Sequence, residues 1–219
     1  MNTLRLKLAV MLGVVVFAAG CATTQPYDYS AYKQSRPRSI LILPPVNNSP
    51  DVNATNGMYS QSMFPLAEAG YYVFPASLVS ETFKQNGLTS PTEIHSVAPK
   101  KLREIFGADS ALYLTVTKYG SSYMLLKSSA TVAADAKLVD LKTGSLLWQG
   151  SATASSDEGQ GNSGGGLVGA LVSAAVAQVV NNLTDASYKV AGTTNERLLA
   201  GGRPNGVLYG PRSPKYGTD

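Results

Sequence analysis

Ser39-Ile40-Leu41-Ile42-Leu43-Pro44-Pro45 is a continuous apolar run stopped by two prolines. A strand with one wet face alternates apolar and polar side chains. A run that is apolar at every position suits a strand covered on both faces, as in the parallel part of a sheet. Downstream, a polar loop from Asn47 to Asn56 leads to a predicted helix from about Gly57 to Ala69, with Pro65 inside it and Gly70 closing it. Tyr71-Tyr72-Val73-Phe74 reads as a second short strand ended by Pro75. Leu78, Val79, Phe83 and Leu88 fit a short amphipathic helix before Ser90-Pro91, and Leu102, Ile105 and Phe106 fit another that Gly107 ends. A third strand is expected from Ala111 to Tyr119.

There the pattern changes. Leu112, Leu114 and Val116 share one face, with Tyr113, Thr115 and Thr117 on the other. Gly120-Ser121-Ser122 is read as a turn. A long strand follows, with Met124, Leu126, Ala130, Val132, Ala134, Ala136 and Leu138 on one face. Asp140-Leu-Lys-Thr-Gly144 predicts a hairpin turn with Gly144 at positive φ, and Leu146-Leu147-Trp148 opens the returning strand. The last apolar element is Leu167 to Val180, whose large side chains form one face and whose Gly169, Ala170, Ser173, Ala174 and Ala177 form the other. The order predicts an α/β (α+β) single domain: a mixed five-stranded sheet with helices packed on it. Strand–helix alternation is followed by an antiparallel three-stranded meander and a final apolar helix.

Four stretches carry a resemblance: Ile40 to Pro45, Ala69-Gly70-Tyr71-Tyr72-Val73, Gly107-Ala108-Asp109, and Asp140 to Trp148. Together the chain from Ser39 to Leu199 resembles the neisserial GNA-type lipoproteins, a bacterial family of unknown function. More distantly it is similar to the curli secretion channel lipoprotein, the TolB amino-terminal domain and the outer-membrane activators of penicillin-binding proteins. The resemblance implies a non-enzymatic accessory or structural subunit of an envelope assembly or a curli-channel-like secretion system. It leaves as alternatives a regulator that docks on a peptidoglycan synthase, or a small-ligand module or hydrolase centred on His95.

The leader agrees with an envelope address. Arg5 and Lys7 precede an apolar run from Leu8 to Ala19. Twelve helical residues rise only about 18 Å, short of a hydrocarbon core of about 30 Å, so residues 1–20 read as a signal peptide. It ends in Ala18-Ala19-Gly20 before Cys21, the only cysteine of the 219 residues. That arrangement resembles the bacterial lipobox, with Ala18 where the family pattern prefers Leu. The resemblance implies that Cys21 is acylated, and Ala22 rather than Asp after it implies the outer membrane, facing the periplasm. Two or three acyl chains anchor stably where one does not. Residues 21–38 read as the lipidated cysteine and a flexible tether with solvated tyrosines, 39–200 as the globular domain, and 201–219, with five glycines and three prolines, as an extended or disordered tail.

Composition narrows the chemistry. Hydrophobic residues are 44% and charged residues 15%, enough apolar material for a core. The formal charge is +4, but no basic run exceeds Lys100-Lys101, and the signal holds two of the eighteen cations and none of the fourteen carboxylates. No nucleic-acid partner is expected. One histidine and one cysteine remove zinc clusters and disulfide frameworks, and no cofactor or metal is expected. Glu93-Ile94-His95-Ser96 supplies a nominal acid, base and nucleophile without a nucleophile elbow, so a surface or capping role is expected and no catalytic residue is assigned. Gly159-Gln-Gly161-Asn-Ser-Gly164 fits G-x-G-x-x-G, but a polar loop and Asp157-Glu158 stand where a dinucleotide site needs a parallel strand, so a flexible connection is expected. The small-residue positions Gly165, Gly169, Ser173 and Ala177 form a candidate interface for a partner or a second copy.

Overall fold

The computed structural model describes residues 27–124, 127–158 and 186–219. Its elements are α1 (Ser30–Ser35), β1 (Ser39–Ile42), β2 (Val46–Asn47), α2 (Ala54–Glu68), β3 (Tyr72–Val73), α3 (Ala76–Gln85), α4 (Pro91–His95), α5 (Pro99–Phe106), β4 (Ser110–Met124), β5 (Lys127–Asp140), β6 (Leu146–Ser155) and α6 (Ala186–Leu199). The sheet order is β3-β1-β4-β5-β6. Strands β3, β1 and β4 are parallel neighbours, and β4, β5 and β6 form the antiparallel meander.

The mixed sheet is as predicted, but it has six strands rather than five. The sixth, β2, pairs parallel with β4 at Val46↔Thr115 and Asn47↔Val116, further along the same edge that β1 occupies at Ile40↔Ser110 to Ile42↔Leu112. Pro44 and Pro45 have no N–H to donate, so they split one extended track into two strands. The turn expected at Gly120–Ser122 is not there. Strand β4 continues to Met124 and pairs with β5 as far as Met124↔Lys127, with a register shift between Val116 and Lys118. Gly120, at φ 132°, is carried inside the strand. At the predicted hairpin, Gly144 has φ 78° and its N–H bonds to the Asp140 carbonyl at 2.8 Å.

Two cores flank the sheet. Ile40, Ile42, Leu112, Leu114, Leu138 and Trp148 point to one side, against Met58 and Leu66 of α2 and Val190 and Leu198 of α6. Gly57 is what lets α2 approach, since a Cβ there would run into the Tyr119 ring. Leu41, Leu43 and Ala111 point to the other side, against Val79 and Phe83 of α3, Ile94 of α4 and Leu102 of α5. Burying these side chains supplies the main driving force of the fold, roughly 1.5–3 kcal/mol for each large aliphatic group before entropy is counted.

Both chain ends differ from the reading of composition. The segment expected to be a solvated tether turns into α1 and buries Tyr32. The segment expected to be a disordered tail buries Val207 and Leu208, and its backbone bonds to the body through Gly210 N–H to Ala69 O (2.7 Å) and Arg212 N–H to Gly70 O (3.0 Å). Its glycines and prolines shape tight turns, such as Gly206 N–H to Arg203 O at 2.9 Å, instead of marking freedom. The predicted helix Leu167 to Val180 lies outside the described residues. The helix described over the meander is α6, which the apolar pattern did not single out.

Candidate functional site

His95 closes α4 half-buried, its Nε2 3.0 Å from the Pro44 carbonyl and its ring edge-on to Tyr113 at 5.3 Å. A carbonyl only accepts, so Nε2–H donates. Burial pushes the imidazole pKa down, and the bond to Pro44 partly offsets this. The Ser96 hydroxyl donates to the Glu93 main-chain carbonyl at 2.6 Å, not to the imidazole. Glu93, His95 and Ser96 are therefore neighbours in sequence that the fold does not assemble into a relay. The histidine ties α4 to the proline break after β1.

A different set of residues is brought together where residues 27–36 meet residues 205–219. The Tyr27 amide donates to Asn205 Oδ1 (3.0 Å), and the Tyr29 hydroxyl to the Gly206 carbonyl (2.5 Å). Trp148 Nε1 donates to the Asn205 carbonyl at 2.9 Å, which joins this clasp to β6. Tyr71 donates to the Leu208 carbonyl at 2.7 Å, and the hydroxyls of Tyr32 and Tyr71 stand 2.8 Å apart. Since the Tyr71 proton is committed to Leu208, Tyr32 is the donor of that pair. At the last residue, Lys33 Nζ donates to the Asp219 main-chain oxygen (3.0 Å) and the Tyr209 amide to Asp219 Oδ2 (2.7 Å).

These contacts frame a cleft of about 440 Å³. Tyr32 and Tyr71 form its buried floor, and Lys33, Arg36, Tyr209 and Tyr216 its walls. Burial drives the Tyr32 hydroxyl far above its ordinary pKa, and its contact with Tyr71 adds to this; Tyr29 nearby is pushed up to about 12, by burial and then by the Asp219 charge. Tyr29 and Tyr32 therefore stay protonated across the physiological range. Lys215 lies over the Tyr209 ring at 5.5 Å. Next to the cleft is a smaller hollow of about 290 Å³ edged by Arg38, Tyr72 and Arg212, with the Arg212 guanidinium 5.4 Å over the Tyr72 ring. The sequence signal that could have found the cleft is the recurrence of tyrosine in two otherwise polar ends, at 27, 29 and 32 and again at 209 and 216.

Asp140 supports the same pole from below. Its Oδ1 accepts the amides of Lys142 (2.8 Å) and Thr143 (2.7 Å), and its Oδ2 accepts the Ser35 hydroxyl (2.5 Å). Burial alone would raise the carboxyl pKa, but these bonds outweigh it and hold it below the usual carboxylate value. The β5–β6 turn is thereby fastened to α1. Cys21, the Gly159–Gly164 run and the small-residue positions Gly165, Gly169, Ser173 and Ala177 lie outside the described residues.

A mixed sheet with helices on both faces and a cleft where residues 32–37 meet residues 208–217 defines a single α/β domain. The chain belongs to the GNA1162-like family, described as Putative lipoprotein GNA1162-like, whose model matches residues 27–212. It is 52% identical over 207 residues to the Putative lipoprotein NMB1124/NMB1162 of Neisseria meningitidis serogroup B, covering 94% of this chain and 95% of that protein. The crystal structure of Lipoprotein GNA1162 from Neisseria meningitidis is similar with 57% identity and a TM-score of 0.53, over 66% of this chain and 99% of that one. The PelC dodecamer of Paraburkholderia phytofirmans matches at 14% identity and a TM-score of 0.46, over 84% of this chain and 96% of that one, a level that carries no functional argument.

Proposed function

We propose that this protein is acylated at Cys21, held in the outer membrane facing the periplasm, and serves as a non-enzymatic accessory or structural subunit of a cell-envelope assembly. Membership of a lipoprotein family supports the anchor. The observation that carries the rest is the clasp: with Tyr27 fixed to Asn205, only residues 22–26 separate Cys21 from the folded body. Six residue steps extend at most about 20 Å. The body is thus kept close to the lipid, presenting a binding surface rather than reaching for distant substrates.

Detergent-phase partitioning and incorporation of labelled palmitate test the anchor. Wild type is expected to partition with lipid and take up label, and Cys21→Ser to lose both; unchanged behaviour of Cys21→Ser overturns it. Affinity capture from solubilised envelopes tests the role. Recovery of curli-channel-like lipoproteins supports the accessory reading, whereas recovery of a peptidoglycan synthase replaces it with the regulator. The segment containing Gly165, Gly169, Ser173 and Ala177 is proposed as the contact between copies or with the partner. Ser173→Arg is then expected to fold with normal stability and lose association, while unfolding of the monomer would show core packing instead.

A further inference from the structure

We propose that the cleft between α1 and the C-terminal segment binds a saccharide that carries a carboxylate. Its volume of about 440 Å³ lies within the range of small-molecule sites, with room for one or two sugar rings. The exposed Tyr216 offers an aromatic ring at the wall, beside Tyr209, whose own ring lies under Lys215. The negative face of such a ring attracts the weakly positive C–H edges of a pyranose, a contact that needs a flat ligand and not a point charge.

Hydrogen-bond polarity at the rim and the floor selects the rest. Arg36 spends its Nε on the Lys33 carbonyl (3.2 Å), and among the described residues no carboxylate pairs with its guanidinium. Its terminal nitrogens remain as a fork suited to a carboxylate. The acid that faces this rim, Asp219, is engaged by Lys33 and by the Tyr209 amide. At the floor the Tyr32 proton goes to Tyr71 and the Tyr71 proton to Leu208, so the Tyr32 oxygen is left as an acceptor. The rim donates and the floor accepts. Phosphate has no flat apolar edge to lay on the Tyr216 ring, and a neutral sugar leaves the guanidinium without a partner. A sugar acid matches both.

The test uses the full mature lipoprotein in detergent micelles and isothermal titration. Four probes are compared: the N-acetylglucosamine–N-acetylmuramic acid disaccharide, a digalacturonate, neutral chitobiose and inorganic phosphate. One of the two acidic sugars is expected to saturate the protein at least tenfold more tightly than chitobiose, without displacement by phosphate. Which of the two binds tells a cell-wall source from an acidic polysaccharide. Tyr216→Ala and Arg36→Asn should each weaken that binding about tenfold or more. Asn tolerates the left-handed backbone of position 36, at φ 46°, so the second variant keeps the local fold. Arg103→Ala, on α5, should change nothing. Equal binding of chitobiose, displacement by phosphate, no saturation by either acidic sugar at millimolar concentration, or full affinity in Arg36→Asn would each overturn the proposal.

Discussion

In the parallel half of the sheet, consecutive side chains of one strand enter two different cores: Ile40 and Ile42 pack under α2, while Leu41 and Leu43 pack under α3, α4 and α5. In the antiparallel half burial mostly alternates, with Ala133 and the Leu147–Trp148 pair as exceptions. Val132, Ala134, Ala136 and Leu138 of β5 are buried, but Asp135 and Lys137 between them face water. The same sheet is therefore held from both sides at one end and from one side at the other. Parallel pairing brings crossover helices that must lie on the faces, while a meander needs only tight turns. The parallel half should carry steep penalties for any change, and the meander should tolerate substitution on its open face.

The largest effect should come from Leu41→Ala, which empties a site covered by helices on the far face. A loss of about 2–5 kcal/mol in denaturant unfolding is expected; a loss below 1 kcal/mol would mean that the second core is loosely packed. Tyr71→Phe should follow, at about 1–3 kcal/mol, because it leaves the Leu208 carbonyl and the Tyr32 hydroxyl without their partner. Its effect should also appear as faster hydrogen exchange at Gly210 and Arg212, whose amides hold the C-terminal segment to the body.

A smaller, pH-dependent contribution belongs to His95. Burial lowers its pKa from the ordinary 6.5, so folding favours the neutral ring. That stabilisation is fully present above pH 6.5 and is lost as pH falls toward and through the folded value. Denaturation midpoints at pH 8 and pH 5 should differ less in His95→Gln than in the wild type, and an equal difference would remove the histidine from the account. Smallest of all, Lys137→Ala on the open face of β5 should stay within about 0.5 kcal/mol of wild type. A cost like that of Leu41→Ala would show that something covers the meander.

Legibility from sequence followed the same division. The run at Ile40–Leu43 and the alternation through β4 and β5 showed which faces are buried, because apolar burial leaves a pattern. Helix α6 left none. It buries Ser187, Thr194 and Asn195, and the latter two donate to definite partners: Thr194 Oγ1 to the carbonyls of Val190 (2.9 Å) and Val132 (3.2 Å), and Asn195 Nδ2 to that of Met58 (3.0 Å). Polar residues buried on specific carbonyls read as a surface until their partners are known. The tyrosine cleft was hidden for a related reason. Its residues come from 32–37, 71 and 208–217, in segments whose glycine, proline and serine content resembles that of a linker. What orders them is contact between the two ends, a long-range property that no local window contains.

The clasp also has a mechanical consequence. Tension that enters the folded body at its described N-terminal side meets the Tyr27 amide first, then the Tyr29 hydroxyl, and both are bonded across to Asn205 and Gly206. Load is thereby shunted sideways into the C-terminal segment before it can travel through α1 into β1. Under the proposed acylation of Cys21, the tyrosines at 27 and 29 would form a shear joint that yields ahead of the sheet, so the sheet would keep its shape while the body is tugged against the lipid.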